Sequence, residues 1–330
     1  MIPGFCNCRF CFFSEHSLPK RKERLEMKPR RSILSVPGHI EKMHAKANKS
    51  AADVVMLDLE DSVPMDAKEA ARNLTIHSLT NLDWQDRIIS VRCNGLETPF
   101  GYKDIIEVGE HAGHVLDTMV IPKVHHPGDI HFVHRLLHGI EMNKGIDKKI
   151  GIEASIESAQ GLENVTGIAG SSDRIQTLVF GIADFSESIG VRLASISGHG
   201  EGEEEIYPGH RWHFVLSRIV MAAKANGLAA IDSPFGNFKD QDGLRRSSAM
   251  SCALGYDGKW VIHPSQIDII NEIFSPSIED IERAKKIIQA HKEAAKSGRG
   301  AVAVEGRMVD KATVRLAQKL MAQAEYLNQG

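Results

Sequence analysis

Short apolar runs rich in valine and isoleucine recur along the chain from residue 32, alternating with longer stretches whose apolar positions return every three or four residues. Runs of this length predict strands buried on both faces, and the longer period predicts amphipathic helices. The runs are Ser32 to Val36, Asp53 to Leu59, Arg87 to Arg92, Thr118 to Ile121, Lys149 to Ile156, Thr177 to Ile182, Leu228 to Ile231 and Lys259 to Ile262. Regular alternation of strand and helix is the pattern of βα units around a parallel sheet. Eight units between Arg31 and Ser275 match the roughly 250 residues of a (β/α)8 barrel, so the expected fold class is an α/β TIM barrel. A doubly wound open sheet shares the alternation.

The helices expected between strands are Ile40 to Ala51, Ala67 to Leu79, Tyr102 to Ala112, Pro127 to Asn143, Gly161 to Ala169, Trp212 to Asn226 and Asp240 to Leu254, with Pro264 to Phe274 closing the barrel. Many begin at a proline or after an aspartate and end at glycine or asparagine, as helix boundaries do. Beyond the barrel, Ser277-Ile278-Glu279-Asp280 resembles a capping box and opens a helix to about Ser297. Gly298 to Gly306 reads as a small-residue connection and Lys311 to Leu327 as a second helix. This C-terminal pair carries an apolar stripe that must be buried on its own barrel or a neighbour's. The expected organisation is an N-terminal extension over 1–27, taken as disordered, a catalytic barrel over 28–275 and a helical lid over 276–330.

Composition narrows the function classes. The 330 residues are 42% hydrophobic and 25% charged, as in a soluble globular protein, which excludes disorder over the whole length. Forty basic against forty-three acidic residues leave a net charge of -3 and no positive field for nucleic acid. No run approaches the ~18 apolar residues of a bilayer span. Of five cysteines, Cys93 and Cys252 lie far apart in the folded body, which fits a reducing, cytoplasmic setting. Cys6, Cys8 and Cys11 lack the fourth ligand that structural zinc normally requires. Met27, ahead of Lys28-Pro29-Arg30-Arg31, is a candidate translation start.

In such a barrel the chemistry sits where strands end, and these ends are polar. Strand two ends in Asp58-Leu59-Glu60-Asp61, strand three in Arg92-Cys93-Asn94, strand four in Pro122-Lys123, strand five in Glu157-Ser158, strand six in Asp184, strand seven in Asp232 and strand eight in His263-Pro264. Glu60, Asp61, Glu157 and Asp184 around one mouth would repel one another unless a cation or an internal base neutralised them. Hard carboxylate donors select Mg2+, or Mn2+, over zinc, and few protein ligands leave coordination positions for substrate. Asp61 and Asp232 read equally well as an ordinary cap or surface pair. Arg92 is either a partner for these acids or a bidentate fork for a substrate carboxylate, and the second is favoured. Lys123 and His263 could neutralise the ring, touch substrate or be structural. His125, His126, His210 and His213 have no metal-ligand spacing, and Glu201 to Glu205 reads as a solvated face.

These residues resemble the citrate lyase beta-subunit-like family (HpcH/HpaI aldolase/citrate lyase). The matching segments are Arg31-Ser32-Ile33-Leu34-Ser35-Val36-Pro37-Gly38, Asp58 to Val63, Arg92 to Gly95, Ile121-Pro122-Lys123-Val124, Ile156 to Leu162, Gly181-Ile182-Ala183-Asp184-Phe185 and Gly258 to Pro264, with coverage from about residue 30 to 327. Asn94 to Phe100, Asp232 to Phe238 and Gly306 to Asp310 look like the malyl-CoA lyase branch. Cys93 departs from the family's usual Val or Ile, and the Gly198 to Pro208 loop falls where relatives vary in length.

The resemblance implies a TIM barrel with a C-terminal lid, assembled as homotrimers or homohexamers, that cleaves or forms 3-hydroxyacyl-CoA thioesters with magnesium. It implies Glu157 and Asp184 as metal ligands, Arg92 as the anchor of a glyoxylate-like 2-oxoacid and Asp310 as a lid acid entering a neighbouring subunit's site. It also places Arg31 near the CoA thioester. Lys123 is a further candidate for substrate binding, with Glu60, Asp61 and His263 supporting the site. The expected activity is cleavage of (3S)-malyl-CoA, or its beta-methyl analogue, to acetyl-CoA or propionyl-CoA and glyoxylate. The alternatives are a CoA thioesterase on the same scaffold and a non-catalytic CoA-ester-binding subunit.

Overall fold

The structure, a computed structural model, describes residues 28–85, 87–191, 211–296 and 302–329. The expectations for residues 1–27, for the Gly198 to Pro208 loop with its glutamates, and for His210 lie outside these.

Eight parallel strands close on one another in chain order: β1 (Ser32–Pro37), β2 (Val54–Asp58), β3 (Ile88–Arg92), β4 (Thr118–Ile121), β5 (Gly151–Ile156), β6 (Ile175–Phe180), β7 (Ala229–Asp232) and β8 (Gly258–Val261), with β1 paired to β8. The open-sheet alternative is thereby set aside. β2 and β3 are buried at every position, which is why they read as continuous apolar runs instead of alternating ones. One side of each strand faces the helices: Val55, Leu57, Ile89, Val91, Met119 and Ile121 belong to the large core between the layers. The other side fills the barrel with Ile33, Val54, Met56, Ile88, Val120, Val179, Ile231 and Trp260.

The floor of the barrel is polar. Arg30, just before β1, reaches Glu153 inside β5 at 2.8 Å, and Thr118 and Thr177 donate to the same carboxylate. Arg31 pairs instead with Asp53 and Ser275.

The helical layer comprises α1 (Glu41–Ala47), α2 (Lys68–Asn81), α3 (Gly101–Ala112), α4 (Pro127–Lys144), α5 (Ala159–Glu163), α6 (Val165–Ala169), α7 (Ile182–Ser188), α8 (His213–Ala225), α9 (Gln241–Leu254) and α10 (Ile267–Ile273). Local chemistry sets several ends. Asp240 caps α9 by accepting from the Gly243 amide, and Gly255 ends it in the left-handed conformation at φ 101°. Gly161 to Ala169 is two short helices, broken at Asn164, whose side chain donates to the His125 carbonyl. Ile182, expected at the end of strand six, starts α7, a helix the periodicity did not reveal.

The arm consists of α11 (Ile278–Lys296), a hairpin of β9 (Val302–Val304) and β10 (Arg307–Val309), and α12 (Lys311–Gln329). The hairpin falls partly where a plain connection was expected. Its turn, Glu305-Gly306, has positive φ at both residues, the geometry that suits a two-residue hairpin. Gln323 of α12 donates to the Phe274 carbonyl and ties the arm to the end of the barrel. Among the described residues no helix is long and apolar enough to cross a membrane.

Candidate active site

The C-terminal ends of β2 to β6 bring Asp58, Glu60, Asp61, Arg92, Lys123, Glu157 and Asp184 together. Register explains the first contact, because Asp58 and Arg92 are partners on adjacent strands. Arg92 Nε and Nη2 each donate to Asp58 at 2.7 Å, one to each oxygen. Nη1 lies 3.1 Å from Asp61 Oδ2 and 3.0 Å from Glu60 Oε2, the latter an ion pair without hydrogen-bond geometry. Trp260 lies beneath, its ring centroid 5.3 Å from the guanidinium carbon.

The bidentate fork expected for a substrate carboxylate is therefore spent on a buried acid, and Nη1 alone faces the acids of the rim. Burial works against the charge on Arg92, but the surrounding carboxylates outweigh it and raise its pKa. Burial likewise pushes Asp58 up, yet the Arg92 charge and its hydrogen bonds hold the carboxyl below its ordinary value. The Asp58 oxygens also accept from the amides of Glu60 and Ser62, fixing the turn that carries Glu60. Lys68, buried on α2, secures that turn from below through the carbonyls of Leu59 and Glu60.

Lys123 follows Pro122 with φ at 51°, an uncommon conformation for a residue with a side chain. Its ammonium lies 3.1 Å from Glu60 Oε1 and 3.2 Å from Asp184 Oδ1. Two internal bases thus neutralise part of the acidic ring.

Glu157 is left out. It directly follows β5, where Ser158 caps α5 through the Gly161 amide, and its side chain is only 3% exposed. Among the described residues it accepts no hydrogen bond, and Oε2 is sealed from solvent. Burial, then the neighbouring Glu60 charge, pushes its pKa up to about 8. A buried carboxylate oxygen without a partner requires an explanation, and a bound ion is one.

Glu157 and Asp184, in the first turn of α7, supply hard oxygen donors from consecutive βα units and could together hold a magnesium ion. Among the described residues no three His, Cys, Asp or Glu side chains converge in metal-holding geometry, so a site built on this pair would leave most coordination positions to substrate and water. Gly181 makes the arrangement possible, because a Cβ there would sit 2.3 Å from Glu157 Cγ.

Other expected residues fall elsewhere. Arg31 precedes β1 at the N-terminal end of the barrel, some six residues or about 20 Å of strand from the rim, and is held by Asp53. Asp232 is neither cap nor surface pair, but buried with Lys259 at 2.5 Å and Ser251 at 2.5 Å. His263 caps the turn Pro264–Gln266 and stacks on Phe238 at 4.7 Å. Asp310 caps α12, accepting from the Thr313 amide and hydroxyl, and these bonds lower its pKa. Among the described residues it forms no ion pair with the rim of its own chain.

Sequence reasoning did not single out Asp58, Lys68, Trp260 or Gly181. The polar end of strand two includes Asp58, but only the register against β3 shows that it claims Arg92.

A family model described as HpcH/HpaI aldolase/citrate lyase matches residues 31–264. The chain is 40% identical over 306 residues to the L-malyl-CoA/beta-methylmalyl-CoA lyase of Cereibacter sphaeroides, covering 91% of this chain and 96% of that protein. It is 35% identical over 323 residues to the malyl-CoA/beta-methylmalyl-CoA/citramalyl-CoA lyase of Chloroflexus aurantiacus, covering 94% and 92%. Among solved structures, the protein CitE from Mycobacterium tuberculosis, in complex with magnesium, acetoacetate and coenzyme A, superposes with a TM-score of 0.72 at 28% identity, over 91% of this chain and 99% of that one.

Proposed function

The chain belongs to the HpcH/HpaI aldolase/citrate lyase family, and from that premise we propose that it is a carbon–carbon lyase of malyl-CoA thioesters. The reaction is the reversible Claisen-type cleavage of (3S)-malyl-CoA to acetyl-CoA and glyoxylate, with the beta-methyl analogue giving propionyl-CoA. The observation that carries this reading is the unbonded Glu157 carboxylate beside Asp184, under a rim that already fixes Arg92. The likeness to malyl-CoA lyases over nine-tenths of the chain supports the substrate class.

Glu157 and Asp184 would hold Mg2+, or Mn2+ in its place, and the ion would supply Lewis-acid polarisation of the 2-oxoacid carbonyl. Arg92 Nη1 orients the oxoacid carboxylate, and its fixed position lowers the entropic cost of that orientation. In the cleavage direction a carboxylate takes the hydroxyl proton, the bond between the carbinol carbon and the thioester α-carbon breaks, and the same group, now an acid, returns the proton to the enolate carbon. Asp310, carried on the arm of a neighbouring copy in a homotrimer or homohexamer, moves that proton. Its hydrogen-bonded, exposed carboxylate is a base at neutral pH. Arm closure keeps water from the enolate and the thioester. The setting is cytoplasmic, supported by Cys93 and Cys252 as free thiols.

The deciding experiment incubates the full chain with (3S)-malyl-CoA and magnesium and identifies the products. Acetyl-CoA with glyoxylate, trapped as its phenylhydrazone, supports the lyase. Free CoA with intact malate establishes a thioesterase instead, and binding without turnover establishes a non-catalytic subunit.

A further inference from the structure

The charges of the rim are balanced unevenly. Glu60 faces two cations, Arg92 and Lys123, whereas Asp184 faces Lys123 alone among the described residues and Glu157 faces none at bonding distance. Arg92 cannot redistribute itself, because its Nε and Nη2 are committed to Asp58. Lys123 can. Its side chain is 40% exposed and lies within ion-pair distance of both carboxylates. Its left-handed backbone, directly after Pro122, is the kind of local strain that persists where a side chain must be aimed.

An ammonium and a divalent ion compete for the same acceptor, since each is satisfied by carboxylate oxygen and the two repel one another at contact. We propose that Lys123 is the resident counter-cation of the metal cradle, and that a divalent cation binds by taking the Asp184 carboxylate from it while the ammonium stays on Glu60. The inference rests on the reading of Glu157 and Asp184 as metal ligands. Lys123 then has two opposite effects. It relieves repulsion among the carboxylates before the ion arrives, and it weakens the ion's hold afterwards. A monovalent ion, with half the charge to offer, is a poor rival to the ammonium, so the same contact selects for a dication.

Magnesium titration of the full-length chain by calorimetry, after EDTA treatment, tests this. Work in about 0.5 M KCl screens through-space charge effects and isolates contact competition. Lys123→Met should bind Mg2+ about ten-fold more tightly than wild type and melt at a lower temperature in EDTA, whereas Lys123→Arg should stay near wild type in both. Should the methionine variant not fold, Lys123→Gln removes the same charge and is read the same way. A lysine that is merely structural would lower the melting temperature and leave the magnesium affinity unmoved, and that result, or weaker binding, overturns the proposal. A wild-type chain that binds no magnesium overturns the metal reading itself and this inference with it.

Discussion

The guanidinium of Arg92 meets the carboxylate of Asp58 edge to edge, Nε and Nη2 each 2.7 Å from one of its oxygens, with Asp58 fully buried. Without the Asp58 charge, Arg92 keeps Glu60 and Asp61 at Nη1 but loses the partner of its Nε and Nη2 edge. Asp58→Asn should therefore lose about 1.5–3 kcal/mol of stability in urea unfolding at pH 7, the range of hydrogen bonds to charged groups. It should also raise KM for glyoxylate in the condensation direction, because Arg92 loses its anchor.

The same pair sets an acid limit. The folded-state pKa of Asp58 lies below its unfolded value, so its contribution is fully present above about pH 4 and is lost as pH falls through the folded value. Unfolding midpoints measured from pH 6 downward should drop more steeply below about pH 4 in wild type than in Asp58→Asn. Parallel curves would show that the pair is not responsible.

Glu157→Gln replaces an unbonded buried carboxylate with a neutral group of the same shape. Magnesium binding and turnover should both be abolished. The EDTA-treated protein should nonetheless melt about 2–4 °C above wild type at pH 8, the shift that 1 kcal/mol produces in a domain of this size. A lower melting temperature would mean that Glu157 is satisfied in a way its surroundings do not indicate.

Gly181→Ala tests the cradle without changing a donor. The added methyl would overlap Glu157 Cγ, so the carboxylate must swing away. Magnesium affinity should fall by about ten-fold or more, a loss of at least 1.4 kcal/mol, as judged by calorimetry. Unchanged affinity would show that Glu157 does not need its present rotamer.

Asp310 has two separable roles, as a helix cap and as the proposed acid/base. Asn caps helices about as well as Asp. Asp310→Asn should keep the wild-type melting temperature and CoA-ester binding while losing most turnover. Near-native turnover would remove Asp310 from the chemistry.

What the residue pattern made readable, and what it did not, has a physical basis. The strands were legible because nearly every position of each is buried, which favours apolar runs such as those at Ile33, Val54, Ile88 and Val179. α7 was not, because its seven residues leave little room for a helical period and follow directly on β6. The carboxylate ring was legible from strand ends alone. The orientation of Arg92 was not, since the partner that claims its fork is fixed by the register of β2 against β3, which appears only once the sheet is closed.

Packed side chains fill the barrel above the bond between Arg30 and Glu153, so its polar rim opens at one end only. On the lyase reading proposed above, an oxoacid seated against Arg92 would lie deeper than the bulky thioester, and the two products would queue, acyl-CoA first and glyoxylate second. Glyoxylate should accordingly inhibit cleavage competitively with malyl-CoA, and acetyl-CoA noncompetitively, an asymmetry set by a filled barrel that leaves one way out.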